Sequence, residues 1–165
     1  MANFYLKKHD KENSITDSMQ LSQGYYRSAD EYYMASKFLT QDLNFMMVAL
    51  TNIAFSCELY LKALLVGFFG TDYKKEKQIE DSHNIEELFK ALPASEQEYI
   101  KNNVRLNDQA GFDKVLNENG NAFIAHRYAC ERKEMCGNTN FLFAFANILK
   151  SVYESLLKEN NIHLA

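Results

Sequence analysis

From Phe45 to Phe69 the chain carries only two charged residues, Glu58 and Lys62, and this stretch constrains the fold more than any other. Within it Leu50, Ile53, Cys57, Leu61, Leu64 and Phe68 recur at steps of three and four, the spacing that places side chains on one face of an α-helix. The stretch is long enough to span a bilayer. Asn52, Glu58 and Lys62 lie in its interior, however, and a lysine at bilayer depth costs roughly 2.5–3.5 kcal/mol. It therefore reads as the buried central helix of a bundle, from about Asn44 to Phe69, with Gly70 in the C-cap position. No membrane partner is expected.

A central helix needs others to cover it. Thr16 onward supplies one, with Leu21, Tyr25, Ala29, Tyr32, Ser36 and Leu39 forming a stripe. Phe141, Phe145, Ile148, Val152 and Leu156 supply another near the end of the chain. Between them, Asn84 with Glu87 and Ser95 with Glu98 carry the spacing of capping boxes. They predict short helices over 85–92 and 96–103, divided by Pro93, with further short pieces over 108–116 and 122–131. A single proline and six glycines leave few breakers, and 165 residues suffice for one core that buries roughly 70% of the unfolded surface. The predicted architecture is all-α: an up-and-down bundle of three long helices, with short helices between the second and the last. The bundle is expected over 15–160, after a flexible leader at 1–14 and before a tail at 161–165.

Charge and cysteine usage narrow the function classes. A formal net charge of -4 gives no overall attraction for nucleic acid, so a dedicated duplex-DNA binder is disfavoured. Cys57, Cys130 and Cys136 are odd in number, and the last two are spaced too widely for a Cys-x-x-Cys metal site. With a polar start that has no signal-peptide pattern, free thiols in a cytoplasmic setting are expected. No metal and no cofactor are expected. Lys74, Lys75 and Lys77 are interspersed with acids and read as a solvated loop.

Three separated blocks carry a family resemblance: Ile53-Ala-Phe-Ser-Cys-Glu-Leu-Tyr-Leu-Lys-Ala-Leu-Leu65, His83-Asn-Ile-Glu-Glu-Leu-Phe-Lys-Ala-Leu-Pro93, and His126-Arg-Tyr-Ala-Cys-Glu131. In this order and spacing, within a span from about Tyr25 to Leu157, they resemble the HEPN domains, helical bundles of prokaryotic defence and toxin systems and of some nucleotidyltransferase partners. The resemblance implies a bundle of HEPN type, a homodimer, and a possible nucleotidyltransferase-type partner protein. Ribonuclease members of the family pair an arginine with a histidine that follows after four to six intervening residues. Here Arg27, Arg105, Arg127 and Arg132 are not followed by His9, His83, His126 or His163 at that separation, so the nuclease activity is not carried over.

The candidate polar pocket comprises Glu58, Lys62, His83, Arg127, Tyr128 and Glu131. An arginine fork and a lysine ammonium together suit a phosphate, so a nucleotide or RNA is a possible ligand. The plainer alternative is architectural: Glu58 and Lys62 as a helical ion pair, and His83 as an anchor before a helix start. His126 and Arg127, about 100° apart on a helix, cannot face one site equally. Tyr25, Tyr26, Tyr32 and Tyr33 suit core or dimer packing better than base stacking, because Asp30 and Glu31 stand among them. Three functions remain open: a non-nuclease interaction or ligand-binding module accessory to a nucleotide-handling, toxin–antitoxin or phage-defence system; a metal-independent endoribonuclease toxin with a variant site; and a purely structural scaffold.

Overall fold

The computed structural model describes residues 10–70, 82–104, 111–127 and 138–164, and among them every regular element is helical. Three long helices dominate: α1 (Asp10–Leu39), α2 (Met46–Leu64) and, last in the chain, α7 (Thr139–Glu159). Between α2 and α7 lie α3 (Ile85–Lys90), α4 (Ala94–Asn103), α5 (Phe112–Glu118) and α6 (Ala122–Arg127). A 3-10 turn, Leu43–Phe45, leads into α2, and a π turn, Leu65–Phe69, prolongs it to Gly70.

Helix α2 is the centre, as the apolar run requires. Ser56 to Val66 is buried without interruption, on every face of the helix rather than on one stripe. The stretch Leu43–Phe69 is long and apolar enough to cross a membrane, yet 72% of its most apolar part is buried within the fold. Gly70 ends the helix with an ordinary negative φ; a Cβ there would stand 2.6 Å from the Leu65 carbonyl oxygen. Its lack of a side chain, not a left-handed backbone, is what the terminus uses.

Helix α1 pairs with α2 in the opposite direction through three serine bonds. Ser22 Oγ donates to the Ala63 carbonyl at 2.7 Å, Ser56 Oγ to the Ala29 carbonyl at 2.8 Å, and Ser36 Oγ to the Ala49 carbonyl at 2.7 Å. The contacts recur every seven residues on both helices, the repeat of a coiled-coil seam, over about 21 Å of helix. All six residues are buried. Small side chains let the two backbones approach until a hydroxyl of one reaches a carbonyl of the other. This seam contains Ala29 and Ser36 of the predicted stripe and corrects it at Leu21 and Tyr32. Leu21 is 43% and Tyr32 38% exposed, while Ser22, Tyr26 and Ala29 are buried. Apolar spacing points to Leu21 and Tyr32, but hydrogen-bonded serines occupy the close contact.

The start of α1 also lies earlier than predicted, inside the segment 1–14 read as a leader. No glycine or proline stands between Asp10 and Gln23, so extending the helix backward adds one bond per residue at little cost. Ser95 is not a cap either: α4 begins at Ala94, after Pro93 with φ −56, whose carbonyl accepts from the Glu96 and Gln97 amides. Pro93 itself occupies the N-cap position and makes no side-chain cap bond, so Ser95 falls inside the first turn.

Helix α7 closes the core. Phe141 and Phe145 stack on each other and meet Phe89 of α3 and Phe112 of α5, while Tyr153 stacks on Tyr26 with ring centroids 4.6 Å apart. Its buried face is centred on Phe145, Leu149, Val152 and Tyr153, with Ile148 and Leu156 at the margins. Residues 161–164, read as a tail, turn back on the bundle. Asn161 takes φ 54, its amide and that of Ile162 bond to the Lys158 and Leu157 carbonyls, and the His163 carbonyl accepts from Gln23 Nε2 at 3.0 Å. This is a Schellman stop with asparagine in the left-handed position.

Candidate functional site: a buried carboxylate shared by lysine and histidine

Glu58 sits mid-way along α2 with its side chain fully buried. Lys62, one turn later and 5% exposed, brings Nζ to 2.9 Å from Glu58 Oε1. His83 reaches the same oxygen from the segment before α3, with Nδ1 at 3.1 Å. A carboxylate only accepts, so the ring nitrogen that faces it carries the proton, and Nε2 is left directed elsewhere. Among the described residues, Glu58 Oε2 is buried and has no hydrogen-bond partner. Three of the predicted pocket residues are thus in contact, and the ion pair predicted from their four-residue spacing is a buried one.

His83 is held there by the start of α3. Asn84 Oδ1 caps the helix, accepting from the Glu86 amide at 2.9 Å and the Glu87 amide at 3.1 Å. The Ile85 amide donates to the Gly120 carbonyl at 2.9 Å, tying α3 to the turn between α5 and α6. Asn117 Nδ2 donates to Glu86 Oε2 at 2.8 Å, and the bond from Lys90 holds the Glu86 carboxyl below its ordinary range. The imidazole itself remains 47% exposed, so one edge of the cluster opens to solvent while the carboxylate does not.

Two aromatic residues that the sequence reading passed over flank the cluster. Phe123 of α6 lies 6.0 Å from the His83 ring, and Phe55 of α2 stacks on Phe123 at 4.4 Å with an interplanar angle of 19°. Tyr32 of α1 meets Phe55 edge-on at 4.8 Å. Phe55 is three residues before Glu58, on the neighbouring face of α2, and that spacing is the signal that would have found it. Arg127 closes α6, but its side chain and that of His126 lie outside the described residues, as do Tyr128 and Glu131, the loop with Lys74, Lys75 and Lys77, and Cys130 and Cys136. Among the described residues, no group of three His, Cys, Asp or Glu side chains is arranged to hold a metal ion.

A second polar network joins the long helices. Asp30 accepts from Tyr60 Oη at 3.0 Å and pairs with Lys150, and Tyr26 Oη donates to Glu154 Oε1 at 2.7 Å. Burial, reinforced by these carboxylates, pushes the Tyr26 and Tyr60 phenols far above the ordinary range. Tyr26 belongs to the core and Tyr25 and Tyr33 pack against it, the role predicted for the tyrosines of α1, while Tyr32 is 38% exposed; Tyr60 of α2 is a core residue as well.

No protein-family model matches the chain, and no curated protein sequence matches it.

Proposed function

We propose that this chain is a HEPN-like, non-nuclease interaction or ligand-binding module, working as a homodimer and accessory to a nucleotide-handling, toxin–antitoxin or phage-defence system. The observation that carries the ligand-binding half is Glu58 Oε2. A scaffold gains nothing from a buried carboxylate oxygen to which no described residue donates, an arrangement that costs about 1–3 kcal/mol. The oxygen belongs to a cluster in which His83 is half-exposed, so a donor group entering beside the imidazole would complete the set. Lys62 is already engaged by Glu58, which makes this an acceptor site first and a phosphate site only with further cations. The connection to defence systems, and to a nucleotidyltransferase-type partner, rests on the resemblance of the three sequence blocks.

One observation favours the enzymatic alternative. Glu58 holds His83 by Nδ1 and turns Nε2 away, the orientation a carboxylate gives a general-base histidine. A metal-independent endoribonuclease would use that nitrogen, with Arg127 to steady the phosphate.

The test combines two readouts on the wild type and on His83→Ala and Arg127→Ala. With total RNA in chelator, intact RNA in all three is expected, and mononucleotides are expected to raise the melting temperature of the wild type more than that of His83→Ala. Cleavage by the wild type that His83→Ala loses would transfer the reading to a ribonuclease. Intact RNA and no thermal shift with any mononucleotide would overturn the ligand-binding half and leave a scaffold.

A further inference from the structure

The α1–α2 turn exposes more apolar surface than any other end of the described fold. Phe38 is 72% exposed, Leu43 82%, Met34 56%, Val48 50% and Phe45 49%. The Thr40, Gln41, Asp42 and Phe45 amides are all bonded within the turn, and Ser36 is bonded to Ala49, so these five side chains are displayed on a fixed backbone rather than a loose loop.

Side chains of these sizes at these exposures present on the order of 500 Å² of apolar surface, at the upper end of what a monomer leaves to water. A stable dimer needs about 800 Å² per partner, about six-tenths of it apolar, and the patch supplies that apolar share. Its charge also selects the occupant. Between Met34 and Val48 stand one cation, Lys37, and one anion, Asp42, both exposed. A neutral surface offers no attraction to nucleic acid or to an anionic lipid surface, which call for clustered lysines and arginines. One charge of each sign is self-complementary under a two-fold axis, where Lys37 of each copy meets Asp42 of the other.

We propose that the end of the bundle formed by Met34, Phe38, Leu43, Phe45 and Val48 is the surface through which two copies of this chain associate, with reciprocal Lys37–Asp42 pairs at its rim. The proposal rests on the homodimer in the functional reading above and assigns it a face.

Sedimentation of the full chain across a concentration series tests it, with circular dichroism to confirm folding. The wild type is expected to be dimeric, and Phe38→Glu and Leu43→Glu, at exposed positions, monomeric. Lys37→Glu alone and Asp42→Lys alone each place like charges together twice and are expected to weaken the dimer about tenfold or more, whereas an equimolar mixture of the two restores it. A monomeric wild type at every concentration would overturn the homodimer itself. A dimeric wild type whose Phe38→Glu and Leu43→Glu variants remain dimeric would retain the dimer and overturn this face. Monomeric Phe38→Glu with no recovery in the charge-swapped mixture would overturn the reciprocal pairing.

Discussion

The hydroxyl of Ser22 occupies the space that a side chain on Gly67 would need: a Cβ there would lie 2.3 Å from Ser22 Oγ and 2.9 Å from its Cβ. Ser22 cannot easily move aside, because its hydroxyl is bonded to the Ala63 carbonyl and to Tyr153 Oη at 2.8 Å. Gly67→Ala is therefore expected to destabilise the protein by about 1–3 kcal/mol through overpacking, despite alanine's better helix propensity. Denaturant unfolding measures the loss, and Ser22→Gly in the same chain should return part of it. An unchanged midpoint for Gly67→Ala would mean that α1 and α2 are less tightly joined than described.

Removing one partner of a buried pair is far costlier than removing both. Glu58→Ala takes from the buried Lys62 ammonium the carboxylate it pairs with at 2.9 Å and is expected to lower stability by about 3–5 kcal/mol. Glu58→Met with Lys62→Met should be milder than Glu58→Ala alone. Equal melting temperatures for wild type and Glu58→Ala would show that the charge is not confined.

Alkaline titration should separate two groups of tyrosines. Burial raises the Tyr26, Tyr60 and Tyr153 phenols above the unfolded value of 10.0. A group whose folded pKa is raised contributes stability that is complete below the unfolded value and is lost as pH rises beyond it. Stability should thus fall above about pH 10, with these phenols ionising only as the chain unfolds. Tyrosinate absorbance followed together with circular dichroism checks this. Ionisation of every tyrosine before any loss of helix would refute it.

Helix α7 is stopped by asparagine at both ends, and the two ends should respond differently. Asn138 Oδ1 caps the Phe141 amide at 3.0 Å, so Asn138→Ala should cost about 1 kcal/mol while Asn138→Asp retains the cap. At Asn161, φ 54 favours a residue that tolerates the left-handed region, so Asn161→Gly should be neutral or stabilising and Asn161→Val destabilising. Chemical denaturation of the four variants reads both ends at once.

The long helices were legible because their apolar periods are strong, and α2 was the plainest because burial on all faces leaves no polar stripe to confuse it. The rotation of α1 was not legible. Its contact with α2 is made by Ser22, Ala29 and Ser36 against Ala63, Ser56 and Ala49; Ala29 and Ser36 stand in the predicted stripe, but Ser22 stands in the place given to Leu21, because a hydrophobic period counts a serine as a gap. Their seven-residue spacing was present in the sequence, but its meaning depends on a partner helix running the other way. At the site, four-residue spacing foretold the Glu58–Lys62 pair. The approach of His83 was only a conjecture, because it depends on α3 being tied to Gly120, a contact no local pattern encodes. Phe123 lies within the short helix predicted over 122–131, and its place beside His83 is a product of packing alone.

Cys57 lies at the centre of this packing, fully buried, with its thiol donating to the Leu142 carbonyl at 3.3 Å and burial pushing its ionisation well above the ordinary thiol range. An alkylating reagent needs the thiolate and needs to reach it, and the native fold withholds both. With Cys130 and Cys136 replaced by serine, the pace at which Cys57 is labelled becomes a clock for the parting of α2 from α7. The chain carries at its core a single-atom recorder of how often it opens.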